Sequence, residues 1–218
     1  MTDTRRTLTY FGLVAPAVAI VTLLLATLID PLFSWQSRSL SSIGEANGKA
    51  LLAIGTADQL AFLLFNGGVV FGGIVGLPFA ARLWPETVNG IEKAGVVVLA
   101  VALLAMTGIG FAYLDGPANA LHFPFAAGFF LLATVALLVF GTGYALDRSP
   151  TFGLVTMWLG IVHLLQWVVW VLLEAMVWTG DGDTWTYFAV PEAVGAALFG
   201  GWVIWTARTL LRDGSLPT

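Results

Sequence analysis

The sequence contains no cysteine, so thiol nucleophiles, thiolate metal sites and disulfide staples are all excluded. Charge is nearly as scarce. Asp, Glu, Lys and Arg make up 10% of the 218 residues, whereas a soluble domain needs about a quarter to keep its surface hydrated. Histidine occurs twice, as His122 and His163, so a three-histidine zinc site is excluded. There is no His-Glu-x-x-His, His-x-His, Ser-x-x-Lys or Gly-x-Ser-x-Gly pattern. Nine basic residues against 13 acidic ones leave no basic surface for nucleic acid.

What the chain has is apolar surface. Hydrophobic residues make up 58% of it and the mean hydropathy is +0.90, which identifies lipid as the solvent. About 20 apolar residues cross a hydrocarbon core roughly 30 Å thick. Runs of this length lie at 10–29, 57–81, 94–114, 121–146, 152–178 and 190–211. Lipid cannot satisfy backbone polar groups, and the runs lack the alternation of a barrel strand, so they read as helices. The fold class is therefore all-α: one polytopic bundle of six transmembrane helices over residues 1–218. Asp30-Pro31, Pro85-Glu86, Asp115-Gly116-Pro117, Ser149-Pro150 and Gly180-Asp181-Gly182-Asp183 separate the runs. The first run is too long for a signal core and has no small-x-small site after it, so it is expected to stay as a helix. No internal repeat of the kind that builds many transporters is evident.

Arg5, Arg6, Arg82, Lys93, Arg148, Arg208 and Arg212 fall on one side of the predicted bundle, and only Arg38 and Lys49 on the other. The richer side is expected in the cytoplasm, with both termini, in a multi-pass protein of the cell membrane. The outer side then carries eight carboxylates against two basic residues: Asp30, Glu45, Asp58, Asp115, Glu174, Asp181, Asp183 and Glu192. Trp35, Trp178 and Trp185 fit an outer aromatic belt and Trp84 an inner one.

Ionisable residues inside spans are functional candidates because each costs about 2.5–3.5 kcal/mol to insert. In helix five, His163, Gln166, Trp170 and Glu174 share one stripe, bordered by Trp167; in helix two, Gln59, Asn66 and Gly73 share a face. The two faces are expected to meet, with His163 and Asn66 near mid-bilayer and within hydrogen-bonding reach. His122, Asp58, Glu174 and Glu192 lie nearer the outer boundary and suggest a polar mouth. An imidazole with carboxylates can act as a base or relay protons, which nominates His163, Glu174 and His122 as catalytic. Asp58, Asn66, Gln166 and Trp170 are nominated as substrate-binding. Plainer readings exist beside these: Glu192, following Pro191, complements its own helix dipole, and Asn66 and Gln166 act as interhelical glue. Gly68, Gly72 and Gly76 form a small-residue ridge for packing within the bundle or for a homo-oligomer. The sequence names no metal and no cofactor.

Several short motifs carry a family likeness. Pro31 and Trp35, the stretch Leu40-Ser41-Ser42-Ile43-Gly44, Leu64-Phe65-Asn66-Gly67 with the glycines after it, and Leu121-His122 together resemble the multi-pass family called domain of unknown function 998. The likeness runs over almost the whole chain, and its acidic, cysteine-free style is similar to members from halophilic archaea. The family brings no catalytic residue with it. A more distant similarity to the six-span Frag1, DRAM and Sfk1 group implies a lipid-related role with membrane lipids as partners. Ser41 and Ser42 lie in the long outer loop, 31–56, that must fold over the mouth, so they join the substrate-binding candidates. Three functions remain in view: an outward pocket for a lipid headgroup or lipid-linked substrate, a non-catalytic scaffold, and a small-solute or proton-coupled transporter.

Overall fold

A computed structural model describes residues 2–48, 55–178 and 185–218. Lys49 and the Gly180–Asp183 run, used above in the charge balance and the helix breaks, lie outside the described residues. The described chain is all-helical: α1 Asp3–Ile29, α2 Ala57–Leu83, α3 Gly90–Phe111, α4 His122–Asp147, α5 Pro150–Met176 and α6 Ala189–Asp213. Each of the six is long and apolar enough to cross a membrane. The shortest, α3, has 22 residues and is about 33 Å long.

Helix ends differ from the apolar runs where a cap extends or trims them. Helix α1 starts at Asp3, ahead of the expected residue 10, because the Thr2 hydroxyl accepts from the Arg5 N–H at 3.5 Å and draws the charged N-terminus into the helix. Helix α3 starts at Gly90 because the Asn89 side chain accepts from Glu92 N–H at 2.8 Å, while Glu92 accepts from Val88 N–H at 3.1 Å. Gly214 ends α6 in the left-handed region, φ 79°, where a residue without Cβ is at ease.

Each helix packs on its neighbours in sequence, and α6 returns to α1, closing a ring. The ring is drawn tight at glycines. A Cβ on Gly95 of α3 would lie 2.7 Å from the Phe140 backbone of α4, and one on Gly141 would lie 2.8 Å from the Gly153 carbonyl of α5. The α2 ridge is used in the same way. Gly68 faces Thr22 and Gly72 faces Ala19, both of α1, while Gly76 faces Leu103 of α3, so the ridge packs within the chain.

The ring order sets α2 opposite α5, with α2 flanked by α1 and α3 and α5 by α4 and α6. The expected bond between Asn66 and His163 is not formed: each finds a nearer partner, described below. At the end bearing both termini, Arg148 donates to the Glu86 carbonyl at 2.7 Å and to the Leu216 carbonyl at 3.3 Å, and its guanidinium lies over the Tyr144 ring. The Tyr144 hydroxyl donates to the Pro217 carbonyl, so the buried Leu216 seals that end.

Residues 30–48 cross the opposite end, here called the loop end, as a folded lid with a 3₁₀ turn at Ser41–Gly44. Arg38 holds the lid together, donating to the Ser42 carbonyl at 2.8 Å and pairing with Asp30 at 3.4 Å.

The glycine crossings give a direct check. Gly95→Val is expected to destabilise the protein by about 1–3 kcal/mol or more, whereas Gly128→Ala, whose Cβ meets open space in α4, is expected to be neutral or stabilising by up to about 1 kcal/mol. Heating the detergent-purified variants and following monodisperse protein would separate the two.

Candidate functional site

Four ties strap the lid to the bundle. Leu40 N–H donates to Glu192 Oε2 of α6 at 2.5 Å, and Asn66 Nδ2 of α2 donates to the Gly44 carbonyl at 3.1 Å. Ala46 N–H donates to the Leu114 carbonyl at 2.9 Å, and Tyr187 N–H to the Gln36 carbonyl at 2.8 Å. Glu192 therefore does more than complement its helix dipole. Its carboxylate, 7% exposed, receives a backbone donor from a segment 152 residues away in sequence. In a chain surrounded by lipid, the Leu40 N–H needs such an acceptor.

Beneath the lid lies a cleft of about 910 Å³ between the loop-end halves of α4, α5 and α6. The halves of α5 and α6 nearer the termini are tied by Trp202 Nε1, which donates to Thr156 Oγ1 at 3.1 Å. Toward the loop end α5 is tied to the segment that precedes α6 rather than to α6 itself by a side-chain pair of that kind, and side chains of Phe130, Trp167, Trp170, Trp185 and Phe188 form an aromatic wall. Phe188 is its hub, with ring centroids 4.8 Å from Trp170, 4.7 Å from Trp185 and 5.7 Å from Trp167. The polar wall comes from the lid, through Ser37, Ser39, Ser41, Ser42, Arg38 and Glu45, and from Asn119, His122, Thr134 and Glu192.

The cleft also reaches the outside of the bundle. Phe123 (65% exposed), Leu131 (60%) and Leu164 (43%) line it and belong to the surface of α4 and α5 that would face lipid. On its inner side Ser41, Ala126, Phe130 and Glu192 also line a second cavity, a chamber of about 90 Å³ at the centre of the ring whose other walls are apolar.

Two buried polar atoms of cleft-lining residues have no hydrogen-bond partner among the described residues: His122 Nε2 and Trp167 Nε1. His122 is 5% exposed, and its Nδ1 lies 2.9 Å from the Ala112 carbonyl. A carbonyl only accepts, so in the neutral ring Nδ1 carries the proton and Nε2 is left as an acceptor. Trp167 presents an N–H donor. His163, fully buried, sits one layer behind the wall, its Nδ1 2.7 Å from Thr134 Oγ1, and that hydroxyl donates to the Phe130 carbonyl at 3.1 Å.

The three nominated catalytic residues are thus held in three places. His122 lines the cleft, His163 supports Thr134, and Glu174, about 16 Å along α5 from His163, accepts from Thr186 N–H at 3.0 Å. Trp170 donates to the Thr186 carbonyl at 2.9 Å, so Glu174 and Trp170 clamp one peptide segment between them. Ser41 and Ser42 do line the cleft, and Ser42 Oγ donates to the Ser39 carbonyl at 2.7 Å. Asn66 serves the lid, Gln166 donates to its own helix at the His163 carbonyl, 3.2 Å, and Asp58 accepts from the Thr56 hydroxyl at the start of α2. Among the described residues, no three His, Asp or Glu side chains gather in a way that would hold a metal ion.

Sequence reasoning missed Glu192 as a tie and missed the aromatic wall. The signals were present: Phe188 and Glu192, and Phe130 and Thr134, stand four apart and so share helix faces. Trp185 read as an interfacial anchor because its loop neighbours were unknown.

Against known proteins, residues 13–209 match the family described as "Protein of unknown function (DUF998)". The chain belongs to that family. The match takes in all of α2 to α5 and most of α1 and α6, and so covers the cleft, the chamber and the lid that this DUF998 chain carries. No curated protein and no solved structure matches it. With six helices long and apolar enough for a bilayer, this family member is a multi-pass membrane protein.

The tie through Asn66 is open to test. Asn66→Ala, which leaves the Gly44 carbonyl without its side-chain donor, is expected to cost about 1–3 kcal/mol and lower the melting temperature. Gln166→Ala, which removes a bond within one helix, is expected to change it little.

Proposed function

We propose that the cleft binds an amphiphile drawn from the surrounding bilayer, with its headgroup beneath the lid and its hydrocarbon among α4 and α5. The observation that carries this reading is the composition of one cavity: serine hydroxyls, an imidazole and an indole N–H at one side, and exposed apolar residues of the lipid-facing surface at the other. Its volume is within the range of small-molecule sites. The unpaired His122 Nε2 and Trp167 Nε1 are an acceptor and a donor to which a headgroup can bond, and burying a polar atom without a partner is costly.

The direction of the cleft follows from charge. With the seven basic residues of the opposite end in the cytoplasm, the lid faces outward. Binding accounts for the geometry better than conduction does, because the space below the cleft is an apolar chamber in which Ser41 and Glu192 bring the only polar side chains of its wall. Chemistry on the bound molecule would fall to His122, a residue of the cleft wall whose unpaired Nε2 can take a proton from a hydroxyl or from water. His163 and Thr134 would hold the wall in shape.

Native mass spectrometry of protein released from lipid nanodiscs tests this reading. The wild-type protein is expected to retain a lipid. His122→Ala and Trp167→Phe, the second keeping an apolar ring while removing the N–H, are each expected to lower retention by about tenfold, the equivalent of one hydrogen bond in a dry site. Equal retention in both variants and the wild type would contradict it.

A further inference from the structure

The headgroup's charge can be argued from the cleft itself. Glu192 is buried and lines the cleft, its donors, the Leu40 and Ser41 amides and the Ser41 hydroxyl, are all neutral, and among the described residues no basic side chain pairs with it. A carboxylate removed from water calls for a counter-charge. Arg38, which lines the cleft, is already held by Asp30 at 3.4 Å, Glu45 at 3.9 Å and the Ser42 carbonyl. In the cleft wall, then, Glu45 and Glu192 outnumber Arg38, which Asp30 also pairs, and in the sequence this end of the bundle carries eight carboxylates against two basic residues. Such a field repels a phosphate and attracts a cation.

The facing wall has matching chemistry. Phe188 stands one helical turn before Glu192, and the rings of Trp167, Trp170 and Trp185 cluster on it around the same cavity. Aromatic faces attract cations, most strongly where water is excluded, and tryptophan does so best. A carboxylate one turn from such a cluster is the arrangement that suits an ammonium group. Serine hydroxyls and an indole N–H, by contrast, leave an anion with no free positive charge to meet among the described residues.

We infer that the amphiphile bound in the cleft carries an alkylammonium headgroup, seated between Glu192 and the Trp170–Trp185–Phe188 wall. This rests on the amphiphile reading above and adds the sign of the charge. The hydrocarbon next to the headgroup has two apolar places to go, the lipid-facing side at Leu131 and Leu164 and the chamber beyond Glu192.

The experiment is a tryptophan-fluorescence titration of the full chain in neutral maltoside micelles, with three probes of equal chain length: dodecyltrimethylammonium, dodecyl glycerol ether and dodecyl phosphate. The ammonium probe is expected to bind about tenfold more tightly than the glycerol ether, and the phosphate weakest of the three. Glu192→Gln, whose amide oxygen still accepts from Leu40 N–H, is expected to remove that preference, so that the ammonium and glycerol ether probes bind alike. It also corrects for any unequal partitioning of the probes into micelles. Trp185→Leu, at the cleft rim, is expected to weaken the ammonium probe several-fold. Equal affinity for the ammonium and neutral probes, preference for the phosphate, or a preference that survives in Glu192→Gln would each overturn the inference while leaving amphiphile binding intact. Binding of none of the three would remove both.

Discussion

The lid depends on a backbone N–H that has nowhere to go but a carboxylate. Leu40 sits in a 3₁₀ approach where no helix partner accepts its proton, and α6 brings Glu192 to within 2.5 Å. An unsatisfied amide buried away from water costs several kcal/mol, so this bond decides where residues 30–48 lie. Asn66, Leu114 and Gln36 then fix the remaining edges. With the lid in place, the volume under it is bounded. Without it, the gap between α5 and α6 would be an open groove in the headgroup region.

The cleft exists because the ring is not uniformly tight. Glycines at 95 and 141 let α3, α4 and α5 approach backbone to backbone, and the α2 ridge does the same for α1. The α5–α6 seam is pinned in its termini half by Trp202 and Thr156, and bulky rings keep the helices apart in the loop half. The small residues that tighten the ring also leave the central chamber: Ala15, Ala19, Gly72, Gly76 and Gly200 line it, and none has a side chain long enough to fill it. Tight crossings and an unfilled centre come from the same choice of residues.

The six spans were legible in the sequence to within a few residues at most ends, because length and apolarity are properties of single segments. Errors occurred where a cap ruled: Thr2 extended α1 and Asn89 extended α3. The site was legible only in part. His122, Ser41 and Ser42 line the cleft, and their positions near a helix start and in a long loop already put them at the membrane boundary. His163 with Asn66, and His163 with Glu174, were grouped by depth or by helix face alone, and the ring order then assigned each a different neighbour. Glu192 was read from its own helix, and nothing in one sequence reports that an amide 152 residues earlier requires its oxygen. Pairings of that kind arise only once the chain has closed on itself.

The most direct test of this account is hydrogen exchange, followed by mass spectrometry, across residues 39–45 of the protein in lipid nanodiscs. The Glu192 tie predicts that these amides are protected in the wild-type protein, remain so in Glu192→Gln, and exchange markedly faster in Glu192→Ala. Identical exchange in all three proteins would mean that the lid is held by something else, and the bounded cleft would lose its foundation.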